Sequence, residues 1–448
     1  MNRSVAFIFL VLIASLVSAQ QSQKLVAGPM LGYVEYREVL IWLEVGTSVN
    51  EVEVSYRQKG TKEWTEAEYQ GQLHRQFNPI KIALAPLEPG TEYEYEIWID
   101  EKKQAFPYPL QFKTRELWEY RKPQPDFSFI VGSCAYVNDS LYDRPGQAYG
   151  RAYHIFESIA NTPADMMLWI GDNTYLREVD YRSPYGIWYR NSHTRRLPQM
   201  QHLLASKINY AVWDDHDYGP NDADGSYELK DTSLEIFKAY WGNKSYGTSH
   251  TPGVFGRFTW SDAEFFLLDD RYYRGAQKLP NNDTSRTFLG RAQLDWLKTA
   301  LASSWAPFKF IVCGNQVINA LNSFECYRNY GVEYTELMDF IVKQKISGVV
   351  FLSGDRHLTE IEQWQPDGFY TIYDITSSPL TSGPYTNPEK ELNNPGRVAG
   401  TLLTENNYVR ISITGEPTNR KLTVEAFDAN GQKKWEQVIP QSAISLPK

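Results

Sequence analysis

Apolar positions along this chain follow two rhythms. Between about residues 24 and 115 they alternate with polar ones or gather aromatic residues, at Val39–Leu43, Glu51–Tyr56, Ile80–Leu84 and Tyr93–Trp98. A period of two predicts half-buried strands, and their succession predicts a small all-β module. Glu116–Pro125, charged and carrying two prolines, reads as a linker. Beyond it, short apolar runs at Phe127–Val131, Met166–Ile170, Ile208–Val212, Glu264–Leu268, Phe308–Val312 and Gly348–Leu352 predict buried strands. Helical segments fall between them, at Gln147–Ala160 and at Arg291–Leu301, where Leu294, Leu297 and Leu301 share a face. Strands alternating with helices predict an α/β domain over residues 126–448. Past Gly368 the pattern returns to strands at Tyr408–Thr414 and Leu422–Phe427, with Asn430-Gly431 as a hairpin turn.

One turn in the first module is more specific. Leu87-Glu88-Pro89-Gly90-Thr91-Glu92-Tyr93 runs into an alternating strand. It resembles the tyrosine corner of fibronectin type III domains, which implies a β-sandwich over 24–115.

The N-terminus adds a destination. Met1-Asn2-Arg3-Ser4, the apolar run Val5–Val17 and the small residues Ser18-Ala19 before Gln20 predict a secretory signal peptide over 1–19. The run is short for a membrane span. The mature protein is therefore expected to be exported, to the periplasm or the cell exterior, with no integral membrane segment after cleavage. Export makes the three cysteines informative: Cys313 and Cys326, close in sequence, are the candidates for a disulfide, and Cys134 is the odd thiol. Hydrophobic and charged contents of 42% and 22% are those of a globular protein. A net charge of −9 argues against a nucleic-acid binder. It does not argue against small phosphate esters, because a bound cation reverses the local field.

Candidate chemistry lies just after the predicted strands. Phe127–Val131 leads into Gly132-Ser133-Cys134, and Met166–Ile170 into Gly171-Asp172-Asn173-Thr174-Tyr175. Ile208–Val212 leads into Trp213-Asp214-Asp215-His216-Asp217, and Glu264–Leu268 into Asp269-Asp270-Arg271-Tyr272-Tyr273-Arg274. Phe308–Val312 leads into Cys313-Gly314-Asn315-Gln316, and Gly348–Leu352 into Ser353-Gly354-Asp355-Arg356-His357. Open α/β sheets bind ligands beyond the carboxyl ends of their strands. A Gly-Asp turn or one buried cysteine means little alone. Thiol, carboxylate, phenol and imidazole delivered together to one rim predict a metal site.

This set, in this order, resembles the PhoD-type alkaline phosphatases, a branch of the calcineurin-like metallophosphoesterases related to purple acid phosphatases. The resemblance covers Asp126 to the C-terminus. It implies a four-layer αββα metallophosphoesterase sandwich behind the β module, and a phosphoric ester hydrolase of the alkaline phosphatase kind. It also implies Fe3+ with one or two divalent ions, commonly Ca2+, with Mg2+, Mn2+ or Zn2+ as alternatives. Cys134, Tyr175 and His357 would hold the ferric ion, Asp172 would bridge, and Asp215 and Asp355 would hold the divalent metal. Gly-Ser-Cys replaces the common Asp-x-His opening, and Gly-Asp-Arg-His the common Gly-His-x-His. Seven histidines in all are few for a histidine-rich site, and carboxylates suit hard cations.

The expected reaction is attack of a metal-bound hydroxide on a small-molecule phosphate ester. Arg271, Arg274, Arg356 and Asn315 would meet the phosphate, with Gln316 nearby. His216 would bind phosphate or protonate the leaving group, with Asp217 orienting it. Tyr136, Asn138, Tyr218, Asn221 and Asp222 are candidates for the mouth, and Asn221–Gly225 for a solvated lid. A phosphodiesterase or phospholipase D-like activity at the same centre is the alternative within hydrolases. A non-enzymatic binding protein would require lost ligands, yet every expected position is filled. Dehydrogenase, zinc-protease and serine-hydrolase motifs are absent.

Overall fold

The computed structural model describes residues 24–321, 325–387, 389 and 392–446, so the signal-peptide expectation lies outside the described residues. The N-terminal part contains β1 (Leu25–Val34), β2 (Val39–Val45), β3 (Val52–Gln58), β4 (Thr65–Glu68), β5 (Asn78–Leu84), β6 (Glu92–Ile99), β7 (Lys102–Lys103) and β8 (Gln111–Lys113). β4, β3, β6 and β7 form one sheet with β8 beside β6. The tyrosine corner is present: Tyr93 Oη accepts a hydrogen bond from the Glu88 amide at 2.9 Å.

β1, β2 and β5 join a larger sheet. The next strands are β9 (Phe127–Gly132), β10 (Met166–Ile170) and β11 (Ile208–Val212), and β18 (Asn407–Thr414), β19 (Lys421–Asp428) and β20 (Lys433–Pro440) close the chain. Together they form nine strands in the order β20-β19-β18-β9-β10-β11-β1-β2-β5. β1 runs parallel to β11, with Leu31 opposite Ile208. Alternation explains the fusion: Leu31, Ile41 and Leu43 enter the interior shared with β3 and β6. Met30 and Trp42 face the helices, and Trp42 Nε1 donates to the Ala239 carbonyl at 2.9 Å. An edge strand is thereby covered.

The second sheet, of six strands, runs β12 (Gly256–Trp260), β13 (Ala263–Leu267), β14 (Phe308–Val312), β15 (Val349–Ser353), β17 (Ile372–Thr376) and β16 (Glu360–Trp364). The sheets pack face to face: the Phe129 ring meets Phe265 and Phe310, each at 5.1 Å. Ile130, Met167, Trp169 and Ala211 point the other way, into α1 (Ile155–Asn161), α2 (Pro184–Arg195), α3 (Pro198–Ser206) and α5 (Lys230–Tyr240). α4 (Asp215–Tyr218) is a single turn. α6 (Arg291–Ser303) and α7 (Gly331–Lys343) lay Leu294, Leu297, Leu337 and Ile341 on the second sheet. The layers run helix, sheet, sheet, helix.

Two expectations need correction. Helix forms over Ile155–Asn161 only, not from Gln147. Gly150 packs so tightly that a Cβ there would lie 2.6 Å from the Tyr136 carbonyl, and Ala152 has a left-handed φ of 56°. Neither fits a helix, and this loop instead carries Tyr149 to the site. Nor do Cys313 and Cys326 pair: both are buried free thiols, Cys313 beside Asp270 and Cys326 beside the Val317 carbonyl.

Candidate metal centre

Every strand-end motif reaches the same rim. Parallel β9, β10 and β11 end side by side, as do parallel β13, β14, β15 and β17 in the facing sheet. The loops interlock where the sheets meet. Gly171 has φ of 97°, and a Cβ on it would sit 2.8 Å from the Asp214 side chain; a Cβ on Gly354 would lie 2.6 Å from Ser133 Oγ. Four of the predicted ligands are themselves left-handed: Cys134 (φ 60°), Asp172 (54°), Asp355 (66°) and His357 (55°). Each such residue costs about 1–3 kcal/mol and persists where the surrounding structure dictates it.

Donor atoms within 4.8 Å of one another form three overlapping groups: Cys134, Asp172 and His357; Asp172, Asp215 and His216; and Asp214, Asp215 and Glu325. Asp172 belongs to two of them. Tyr175 joins the first, its hydroxyl 3.3 Å from His357 Nε2. Asp355 stands among the same carboxylates: burial first, then the charges of Glu325 and Asp215, push its pKa up to about 7.

Electrostatics mark the centre as short of positive charge. Burial, then Asp215, Cys134, Asp217 and Asp355, hold the Asp172 carboxyl well above its ordinary range. Burial pushes the Cys134 thiol up to about 11, although Ser378 Oγ donates to its sulfur at 3.2 Å. The Tyr175 phenol is likewise raised, by burial and then Asp172. Burial lowers His216 to about 4, so it is neutral, and its Nδ1 is buried with no hydrogen-bond partner. The His216 ring lies 4.2 Å from that of Tyr175. Buried thiol, phenol and carboxylates are the donor set a cation neutralises.

The arginines are placed otherwise than expected. Arg271 and Arg274 are 0% and 2% exposed. Arg271 donates from Nε to Asp214 at 2.6 Å and from its terminal nitrogens to Glu325 at 3.2 and 2.5 Å. Arg274 donates to Glu325 at 2.7 Å and also to Asn315 Oδ1. Asn315 completes the knot by donating to Asp214 at 2.8 Å. The expectation that Arg271, Arg274 and Asn315 meet the phosphate is therefore corrected: buried charges must be paired, and these already are. Gln316 is engaged with Glu360, Thr376 and Arg356. Arg356 donates to Gln316 at 2.6 Å while lining a cavity of about 840 Å³ with Asp355 and His357.

Asp217 does not orient the His216 ring. As a first-turn residue of α4 its carboxylate turns back and accepts from the amides of Asn173, Thr174 and Asp214 at 3.0–3.1 Å. It clamps the loop bearing Asp172 and Tyr175. Among the mouth candidates, Tyr136, Asn138 and Asn221 line a second cavity of about 540 Å³, and Asn221 and Asp222 line the first. Tyr218 is buried against Trp213 instead. The Asp222 amide donates to Asp215 Oδ2 at 2.7 Å.

The sequence pattern of the PhoD-like phosphatases matches residues 129–422. The chain belongs to the PhoD-like phosphatase family. A domain family of unknown function (DUF7800) matches residues 22–116. Alkaline phosphatase D of Bacillus subtilis (strain 168) is 25% identical over 328 residues, covering 62% of this chain and 53% of that protein. The chain thus spans about half the length of that curated relative. The solved PhoD structure superposes with a TM-score of 0.73 at 15% identity, covering 94% of this chain and 92% of that one. A purple acid phosphatase from yellow lupin (Lupinus luteus) seeds gives 0.65 at 13% identity, covering 94% and 76%. At these identities the likeness is one of fold, and the metallophosphoesterase sandwich expected from sequence is the one observed.

Four parts of this PhoD-like centre escaped the sequence reading. Asp214 stands inside a quoted motif, yet nothing local says that Asp215 faces the centre while Asp214 faces Arg271. Glu325 lies in a loop without a motif. Tyr149, whose hydroxyl is 3.3 Å from His357 Nδ1, was assigned to a helix. The Gly383 carbonyl beside the same nitrogen, at 2.5 Å, leaves no side-chain signature at all.

Proposed function

We propose that this chain is an exported phosphatase that hydrolyses small-molecule phosphate esters at a centre of two metals. Asp172, shared between two groups of donor atoms, is the observation that carries the reading. Cys134, Tyr175, His357 and Asp172 would hold Fe3+, whose affinity for thiolate and phenolate suits this side. Asp172, Asp215 and Asp355 would hold a hard divalent ion of the Ca2+ kind. Bound metals supply Lewis-acid charge and lower the pKa of water.

The chain's own groups do the rest. Asp217 fixes the Asp172 loop through backbone amides, and the buried Asp214–Arg271–Glu325–Arg274 network fixes the loop bearing Asp215. His216, which lines the smaller cavity and is unpartnered at Nδ1, would hydrogen-bond a phosphoryl oxygen. Arg356 presents positive charge from the wall of the larger cavity. A buried site excludes water and strengthens each contact.

The test is metal analysis of the purified protein, a visible spectrum and assays on para-nitrophenyl mono- and bis-esters. Iron with a charge-transfer band and monoester hydrolysis is expected. A colourless, iron-free, fully active protein overturns the ferric assignment, and preference for the bis-ester overturns the monoester one.

A further inference from the structure

Arg177 follows the Asp172–Tyr175 motif by two residues and belongs to none of the networks above. It is 8% exposed, and its Nε donates to Tyr136 Oη at 3.0 Å. Its guanidinium carbon lies 4.7 Å from the ring centroid of Tyr136, 5.5 Å from that of Tyr175 and 5.8 Å from that of Tyr149. Among the described residues it makes no ion pair with a carboxylate, whereas Arg271 and Arg274 are bound by acids. Its neighbour Glu178 is paired instead with Arg144. Arg177 lines the cavity of about 540 Å³ together with Tyr175 and His216, whose Nδ1 has no partner.

A guanidinium kept from water and left without an acid needs a reason. Stacking on tyrosine faces fixes its plane and recovers part of the lost hydration, but leaves the terminal fork of N–H donors for an acceptor in the cavity. That fork matches two oxygens of a phosphoryl group. The donor groups beside this cavity are rich in carboxylates, among them Asp172 and Asp215, so an anionic ester entering here needs positive charge on its own side of the centre.

We infer that Arg177, held flat by Tyr136, Tyr149 and Tyr175, is the protein's phosphate-binding arginine, gripping the non-bridging oxygens of the ester while His216 donates to the same group. The inference rests on the phosphate-ester reading. It differs from the expectation for Arg271 and Arg274 because, of these three arginines, Arg177 alone lines the cavity and is not paired with an acid.

The test uses the full-length, metal-loaded protein and its variants R177M and R177K. Inorganic phosphate binding is measured by titration calorimetry, KM and kcat with para-nitrophenyl phosphate, and metal content and Tm in parallel. R177M is expected to weaken phosphate binding and raise KM together by about tenfold to a hundredfold, the range for a lost charged hydrogen bond, with metal content unchanged. R177K, keeping charge without the fork, is expected to lie between. Wild-type phosphate affinity in a folded R177M overturns the inference. If R177M fails to fold, wild-type affinity in R177K does the same. Phosphate binding is read without turnover, so a wild-type protein that binds phosphate through Arg177 but hydrolyses no ester separates failure of the proposed activity from failure of this assignment.

Discussion

The centre has two unlike sides. Around Asp214, Asp270 and Glu325 each carboxylate has a guanidinium partner, Arg271 or Arg274, within the protein. Around Cys134, Asp172, Tyr175 and His357 no cationic side chain makes an ion pair among the described residues, and burial leaves thiol, phenol and carboxyl raised in pKa. On the first side the acids have cationic partners in the protein. On the second, clustered donors able to hold a metal have none among the described residues. Both bury polar groups, so burial alone does not mark a functional site. The absence of internal compensation does.

The contrast is broken most directly at Asp172. Asp172→Ala is expected to lower kcat by about a thousandfold or more and to remove metal, as measured by assay and elemental analysis; full activity would dismiss the centre. On the compensated side, Glu325→Ala leaves Arg271 and Arg274 buried with less counter-charge. A loss of about 3–5 kcal/mol is expected in urea denaturation, and an unchanged midpoint would show that the network carries no stability.

Metal removal sharpens the difference further. In chelator, the Asp355 pKa of about 7 exceeds that of an unfolded aspartate, so the folded state binds the extra proton. Its contribution is present at low pH and is lost as pH rises through the window from about 4 to about 7. Stability of the metal-free protein should therefore fall across that window, and Asp355→Asn should flatten the slope; parallel slopes for both proteins would count against the buried carboxyl. The smallest effect is expected from Tyr149→Phe, which removes one hydroxyl 3.3 Å from His357 Nδ1. A loss below about tenfold in kcat/KM is predicted from one neutral hydrogen bond.

Much of this was legible in the chain itself. Met166–Ile170, Ile208–Val212 and Phe308–Val312 are strands over the stretches their apolar runs predicted, because a strand buried on both faces has no polar positions to blur its ends. The motif residues directly after them were legible for the same reason, since the strand sets where each loop begins. The run Gln147–Ala160 misled, because a helical rhythm of side chains says nothing of the tight packing at Gly150 or the left-handed backbone at Ala152.

The orientation of charged side chains lay beyond that reading. Asp-x-Arg-x-x-Arg looks alike whether its guanidinium groups meet a substrate or a protein acid, and Glu325 decides the matter from a loop 51 residues beyond Arg274. The N-terminal strands show the same limit: their alternation predicts a sandwich, but pairing of Leu31 with Ile208 joins β1 to the nine-stranded sheet. Local periodicity is written into consecutive residues by the geometry of strand and helix. Partners across the fold are chosen by which loops meet when the two sheets pack, and that choice settled which buried charges are paired within the protein and which are not.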